Sequence, residues 1–149
     1  MRPPALWTCP RCRRVFRQTH QRHSCGVGSR KRLLEGKLPA LVKLYGELER
    51  KLKAFGLVEI VARGRYALFR TTRVFADLVF MRDALRLALL LNREVRDPLF
   101  FKIQAMSTHR IAHVAKLRSK ADLEAVVAYL KEAYFFARAD RRATRRKTS

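Results

Sequence analysis

The chain has few acidic residues, few turn-forming residues and no long hydrophobic run. Asp and Glu number 12 among 149 residues, against 34 Lys and Arg, so the formal net charge is +22. Only 6 Gly and 5 Pro are present, which excludes a collagen-like or low-complexity chain. No stretch approaches the ~18 apolar residues of a transmembrane helix. Residues 1–4 lead straight into a polar segment without the apolar region of a signal peptide, which predicts a cytoplasmic protein.

Hydrophobic residues make up 48% of the chain, enough for the core of one modest domain. The charge is densest at the two ends. Residues 1–36 carry nine basic and one acidic side chain, residues 37–137 carry 19 and 10, and residues 138–149 carry six and one. Basic ends around a balanced middle are typical of a polyanion binder, because each cation placed on a phosphate releases a counterion. A basic surface without a cognate ligand is the alternative.

The cations expected to contact DNA or RNA lie in the N-terminal segment and in the C-terminal tail. We expect them to bind phosphates with little base readout. They are Arg11, Arg13, Arg14, Arg17, Arg22, Arg30, Lys31, Arg32, Arg141, Arg142, Arg145, Arg146 and Lys147.

All three cysteines lie in the first 25 residues, as Cys9-x2-Cys12 and Cys25. An odd number of cysteines in a chain expected to be cytoplasmic argues against a disulfide framework. The CxxC pair places two thiolates around one tetrahedral Zn²⁺, and His23-x-Cys25 supplies two more ligands. We predict a closed structural zinc site of Cys9, Cys12, His23 and Cys25, with His20 as a reserve ligand or a hydrogen-bonding neighbour. A redox-active thiol pair is the alternative.

Trp7 and Phe16 are the apolar residues nearest to this site. Either they form its small core, or an exposed Trp7 stacks on a nucleobase. Because this segment is too short to bury a core alone, we expect metal binding to supply much of its folding free energy.

The rest of the chain predicts an α+β domain in which helices flank an antiparallel meander sheet. Residues 26–37 are interpreted as a linker or a short basic helix, and helical spacing after Pro39 ends at Gly56. Asp97-Pro98 predicts a short helix over residues 98–105, and Ser119 begins the last helix. The predicted strands are Leu57–Ala62, Tyr66–Thr72, Val74–Met81, Leu85–Leu91 and Arg110–Leu117.

Three parts follow from these patterns. Residues 1–36 form a zinc-ribbon or knuckle module with a basic linker, residues 37–137 form the α+β domain, and residues 138–149 form a basic disordered tail. The helices are expected to cover one sheet face and to leave the other open.

The predicted domain has no Gly-rich phosphate loop, no GxSxG and no HExxH motif, so an enzyme is not the favoured interpretation. His113 is either a hydrogen-bonded histidine at the border of the core or a pocket residue that binds an anion or a base. Arg70 is expected on the same face as His113. Asp77 is expected to share a face with Phe75, and these four residues form a possible pocket.

Two segments resemble a known family. Trp7-Thr8-Cys9-Pro10-x-Cys12 and His23-Ser24-Cys25-Gly26 resemble the N-terminal zinc motif of small uncharacterised bacterial proteins. Those proteins carry a C-terminal domain of unknown function 5655, which the stretches Lys53–Gly56, Tyr66–Arg70, Val74–Asp77 and His113–Leu117 also resemble. The resemblance implies zinc ligation by Cys9, Cys12, His23 and Cys25 and a nucleic-acid context, but no reaction. The chain has Arg13 where that family commonly has Gly, and His20 where it usually has Asn.

The favoured function is therefore a non-enzymatic, zinc-stabilised nucleic-acid-binding protein. The first alternative is a small-ligand or protein-binding α+β domain with an accessory zinc module. The second is a weak metal-dependent nuclease or hydrolase that uses Asp77.

Overall fold

A computed structural model describes residues 6–10, 15–16, 18–20 and 30–139. In chain order its elements are β1 (Trp7–Thr8), β2 (Val15–Phe16), α1 (Arg30–Leu34), α2 (Pro39–Phe55), β3 (Glu59–Ala62), β4 (Tyr66–Arg70), β5 (Val74–Phe80), β6 (Leu85–Leu91), β7 (Phe100–Ser107), β8 (Arg110–Leu117) and α3 (Lys120–Ala139). The α+β class predicted from the sequence is confirmed.

Six of the strands form one antiparallel sheet in the order β3-β4-β5-β6-β8-β7, and β1 and β2 pair in a separate hairpin. The predicted meander corresponds to β3 through β6, which are joined by turns of three or four residues. The chain then passes β6 to form β7 at the edge and returns through β8, which pairs with both β6 and β7. The sheet therefore has β3 and β7 as its two edges.

The predicted short helix over residues 98–105 is wrong, because Phe100–Ser107 form strand β7. Asp97 does cap a turn: its Oδ1 accepts the Leu99 N–H at 2.9 Å, and its carbonyl accepts the Phe100 N–H at 2.9 Å. The cap and Pro98 determine only this one turn. Pairing with β8 then overrides the local helix signal, with Phe100 opposite Ala115.

Both long helices pack against the same face of the sheet. Strand β6 is apolar except for Arg86, and its alternate residues Leu85, Leu87, Leu89 and Leu91 are fully buried. On the helix side, α3 contributes Leu123, Val126, Leu130 and Tyr134 to the core, and α2 contributes Leu41, Leu44, Tyr45, Leu48 and Leu52. This alternation leaves the residues between the buried leucines on a face that neither helix covers.

The short helix α1 packs with the domain rather than serving as a free linker. Leu33 is fully buried in the core. The Arg30 guanidinium binds the buried carboxylate of Glu49 on α2, with Nε 2.9 Å from Oε1 and Nη2 2.8 Å from the same oxygen. Burial and the Glu49 carboxylate raise the pKa of the neighbouring Tyr45 hydroxyl.

Helix α3 begins as its capping residues predict. Ser119 Oγ accepts the Asp122 N–H at 3.3 Å, and Asp122 Oδ2 accepts the Arg118 N–H at 2.8 Å. The helix continues to Ala139, so Arg138, which was assigned to the tail from the sequence, lies in its last turn. Within the described residues, no helix is both long and apolar enough to span a bilayer.

Gly56 ends α2 where no larger residue fits. Its φ is +148°, and a Cβ at this position would collide with the Tyr134 hydroxyl. We predict that Gly56→Ala lowers the free energy of unfolding by about 1–3 kcal/mol, measured by urea denaturation. Gly46→Ala is the matched control, since Gly46 lies within α2 with nothing near its Cβ position. That control should stabilise the protein by about 0.5–1 kcal/mol, and equal effects of the two substitutions would contradict this account.

Candidate nucleic-acid interface

The sheet face opposite α2 and α3 carries the side chains that alternate with the buried ones. We call it the helix-free face. Strand pairing places Asp77 opposite Leu68 on one side and Ala88 on the other, and it places Val79 opposite Arg86. The neighbouring core residues of β5, Leu78 and Phe80, are buried, whereas Asp77 and Val79 are half-buried.

One row of side chains crosses this face from β4 to β7. Its register is Tyr66 opposite Val79, Val79 opposite Arg86, and Arg86 opposite Lys116. The Lys116 ammonium lies 5.1 Å from the centre of the Phe101 ring, which ends the row. We call these five residues the aromatic–cation row. Its span is roughly 19 Å, since four strand spacings of about 4.8 Å separate its ends.

The two aromatic residues at the ends of this row are exposed. Tyr66 is 40% and Phe101 52% accessible, although most aromatic rings of this domain pack in the core. Phe101 is the extra residue of a β-bulge between Phe100 and Lys102, so its ring leaves the core side while Phe100 stays buried. The bulge therefore positions an aromatic ring on the helix-free face beside Lys116.

Two cations stand directly opposite each other in the middle of the row. Arg86 and Lys116 form a cross-strand pair, an arrangement that is destabilising when the charges are alike. Lys102 lies on the same face, opposite Val114. Asp77 is the acidic group diagonal to Arg86. A bound polyanion would relieve the repulsion between these cations, so this arrangement favours phosphate binding.

The residues of the possible pocket do not come together. His113 pairs with Leu89 and is fully buried on the helix-covered face, and Phe75 packs there with its ring 5.6 Å from Tyr134. Arg70 and Asp77 lie on the helix-free face, where Arg70 Nε is 3.7 Å from Glu59 Oε2. The expectation that Arg70 shares a face with His113 is therefore wrong.

A β-bulge explains the misplacement of Phe75. Phe69 pairs with Ala76 and Arg70 pairs with Val74, so Phe75 has no partner of its own in β4. Both Phe75 and Ala76 are buried. Simple alternation from Asp77 puts Phe75 on the wrong face because one extra residue inverts the pattern.

His113 is held as a neutral core residue. Its Nε2 accepts the Val95 N–H at 2.9 Å, and its Nδ1 donates to the Ile111 carbonyl at 2.9 Å. The Phe100 ring packs against it with centres 5.0 Å apart. Burial lowers the pKa of His113, and these fixed partners require the proton on Nδ1. Of the two interpretations of His113, the structure therefore agrees with the hydrogen-bonded core histidine and not with the pocket residue.

Of the predicted zinc ligands, the structure describes Cys9 and the reserve residue His20, while Cys12, His23 and Cys25 lie outside the described residues. Cys9 is buried at the end of β1, and the CxxC pair falls within the six residues that join β1 to β2. The His20 ring packs against Trp7 with centres 5.1 Å apart, and its φ is +57°. A hairpin that buries one thiol beside its turn suits a CxxC zinc knuckle.

Most of the predicted nucleic-acid-binding cations lie outside the described residues. The three inside are in α1. Arg30 binds Glu49, so its guanidinium is committed to the fold, whereas Lys31 and Arg32 are exposed. The undescribed cations are Arg11, Arg13, Arg14, Arg17, Arg22, Arg141, Arg142, Arg145, Arg146 and Lys147.

Among the described ranges, no three His, Cys, Asp or Glu side chains are grouped closely enough to hold a metal ion. Asp97, which caps the turn before β7, also accepts the Tyr129 hydroxyl at 2.9 Å. That hydrogen bond and the Leu99 N–H lower the pKa of Asp97. The Asp97 carboxylate is therefore held by hydrogen bonds within the fold.

Sequence reasoning missed the aromatic–cation row. A single cation or aromatic ring on a strand belongs to no recognisable sequence motif. The predicted site residues therefore did not include Arg86, Lys116, Tyr66 and Phe101. Polar and apolar side chains alternate over Lys102, Ile103, Gln104 and Ala105. This period of two predicts a strand and was the available sign of β7. The predicted helix over residues 98–105 was preferred to this strand.

Residues 31–137 match the family described as Domain of unknown function (DUF5655). The chain belongs to this family. All five residues of the aromatic–cation row lie within the DUF5655 match, whereas the hairpin with Cys9 precedes it. No curated protein and no solved structure matches the chain.

The buried His113 makes the stability of the DUF5655 domain depend on pH. Because its folded-state pKa is lowered from the ordinary 6.5, the unfolded chain takes up the proton more readily. The contribution of His113 is complete above about pH 6.5 and is lost as the pH falls through that value toward the folded-state pKa. We predict that the free energy of unfolding, measured in urea, falls between pH 7.5 and pH 5.

His113→Gln should reduce this pH dependence, because a glutamine oxygen can accept the Val95 N–H but does not titrate. The control is His109→Gln, since His109 is exposed in the β7–β8 turn. An unchanged pH profile in the His113 variant would show that His113 is not the titrating group.

Proposed function

We propose that this protein is a non-enzymatic, zinc-stabilised nucleic-acid-binding protein whose helix-free face binds a single strand. The observation that carries the proposal is the aromatic–cation row, in which the exposed rings of Tyr66 and Phe101 flank the opposed cations Arg86 and Lys116. Aromatic rings on an open sheet stack bases, and cations between them bind the phosphates. The proposal thus extends the phosphate contacts expected at the chain ends to the domain itself.

The shape of the face favours a single strand over a duplex. A row of roughly 19 Å on a solvent-facing sheet offers rings to unpaired bases, whereas the bases of a duplex are stacked inside the helix. Four-stranded RNA-binding sheets stack roughly two or three bases on comparable aromatics. The basic segments at both ends of the chain would extend the contact along the phosphate backbone.

In the N-terminal hairpin we propose a structural Zn²⁺ held by Cys9, Cys12, His23 and Cys25. The buried Cys9 thiol and the packing of His20 on Trp7 support this set, with His20 as a neighbour rather than a ligand. The bound metal would fold the hairpin and keep its arginines at a fixed surface.

Replacing the opposed cations tests the interface. In a fluorescence-anisotropy titration of zinc-loaded protein with 12-nucleotide RNA and DNA strands, Arg86→Gln/Lys116→Gln should lower the affinity about tenfold or more. It should also reduce the salt slope by about 1.4, since each phosphate contact on a single strand contributes about 0.7. The charge-matched control is Lys43→Gln/Lys53→Gln, at two exposed positions of α2. Equal losses in both double variants would contradict an interface on the helix-free face.

The exposed aromatic at the edge of the row should contribute by stacking. Phe101→Ala is expected to lose about 1–3 kcal/mol of binding free energy on single strands, with little effect on duplex binding. Phe135→Ala is the control, because Phe135 is also exposed but lies on α3. Binding of duplex in preference to single strands by the unchanged protein would contradict the stacking role.

The zinc site is tested by metal content. Cys12→Ser should release the metal, measured by inductively coupled plasma mass spectrometry, and leave the melting of the DUF5655 domain in place. His109→Gln should keep one zinc per chain. A fully metallated Cys12 variant would show that the proposed ligand set is wrong.

A further inference from the structure

Asp77 is an acidic residue on the central strand β5 of the helix-free face, next to the cations of the aromatic–cation row. Its neighbours across the strands are Leu68 and Ala88, and Arg86 lies on the diagonal. The other carboxylate on this face, Glu59, lies on edge strand β3 beside Arg70. Asp77 is thus the carboxylate that a ligand crossing the middle of the sheet would meet.

The carboxylate of Asp77 has no partner that would explain its position. Within the described part of the chain it makes no hydrogen bond, and no basic nitrogen comes within ion-pairing distance. Burial raises the pKa of Asp77, and Arg86 only partly offsets this. The carboxylate oxygens reach solvent rather than being enclosed in the core, and their negative charge repels phosphates. Its acceptor oxygens are therefore available to a donor that comes from outside the chain.

The small side chain of Ala88 leaves room beside this carboxylate. Ala88 lies directly across from Asp77 on β6, and Val114 lies across from Ala88 on β8. A planar base lying over Ala88 would direct one edge toward Asp77. Its phosphates would then lie near Arg86 and Lys116, which are one step along the same strands.

We propose that Asp77 is a specificity-determining residue that selects guanine in the bound single strand, accepting hydrogen bonds from the Watson–Crick edge of the base. This inference rests on the proposed nucleic-acid-binding function and names the base that the same face prefers.

The donor pattern of the bases explains the choice. Guanine presents two adjacent donors, N1–H and N2–H, which match the two oxygens of one carboxylate. Adenine and cytosine each present one amino donor beside an acceptor, and uracil presents one N–H between two carbonyl oxygens. A carboxylate therefore favours guanine most and uracil least.

The test uses full-length zinc-loaded protein and fluorescein-labelled RNA nonamers in anisotropy titrations at fixed salt. The probes are nine uridines and the same strand with guanosine, inosine, adenosine or cytidine at the fifth position. We expect the guanosine probe to bind at least about fivefold more tightly than the uridine probe. The inosine probe lacks the N2 amino group, so its affinity should lie between those of the guanosine and uridine probes. This comparison requires no change to the protein.

Asp77→Asn should bring the guanosine and uridine probes within about twofold of each other while binding to the uridine probe stays equal or becomes tighter. The matched control Glu59→Gln removes the carboxylate at the edge of the same face and should keep the guanosine preference. Circular dichroism checks that each variant is folded.

The outcomes separate this inference from the function on which it rests. Equal binding of all five probes by the unchanged protein would overturn the role of Asp77 and leave the binding function standing. A guanosine preference that survives Asp77→Asn, or an inosine probe equal to the guanosine probe, would also overturn it. No binding to any probe would overturn both.

Discussion

The rest of the structure depends on the packing of both long helices against one face of a single sheet. Strand β6 buries Leu85, Leu87, Leu89 and Leu91 toward the helices, and α3 meets them with Leu123, Val126 and Leu130. Burial of apolar side chains is the dominant favourable contribution to folding, and these residues belong to one continuous core. Because α2 and α3 lie on the same side, the opposite face stays available, and the composition of its side chains determines what it can bind.

Several features of that opposite face act against the stability of the fold. Arg86 and Lys116 oppose each other, Asp77 lies half-buried without a hydrogen bond in the described structure, and Phe101 exposes a ring beside a bulge. Each has a ready explanation if the face binds a ligand with phosphates, bases and hydrogen-bond donors. Proteins retain local conflicts of this kind mainly at functional sites. By contrast, the Asp97 carboxylate, which accepts the Tyr129 hydroxyl, and the ion pair of Arg30 with Glu49 serve the fold.

Much of the architecture was predictable from local pattern. The helix between Pro39 and Gly56, the four strands of the meander and the Ser119 cap are each determined by a few neighbouring residues, and all three predictions are confirmed. Failures occurred where long-range pairing decides. Strand β7 depends on β8 despite its Asp97-Pro98 signal, and the bulge at Phe75 inverts an alternation that looks regular. The aromatic–cation row joins residues from five strands, so no local motif could reveal it.

The most direct test of the central claim is to map the binding surface by nuclear magnetic resonance. Isotope-labelled, zinc-loaded protein would be titrated with a short single-stranded RNA, and the amide and side-chain signals would be followed. The account predicts that the largest shifts fall on the aromatic–cation row and on Asp77, with α2 and the outer surface of α3 unaffected. Shifts confined to the helices, or to the basic ends without the sheet, would contradict it.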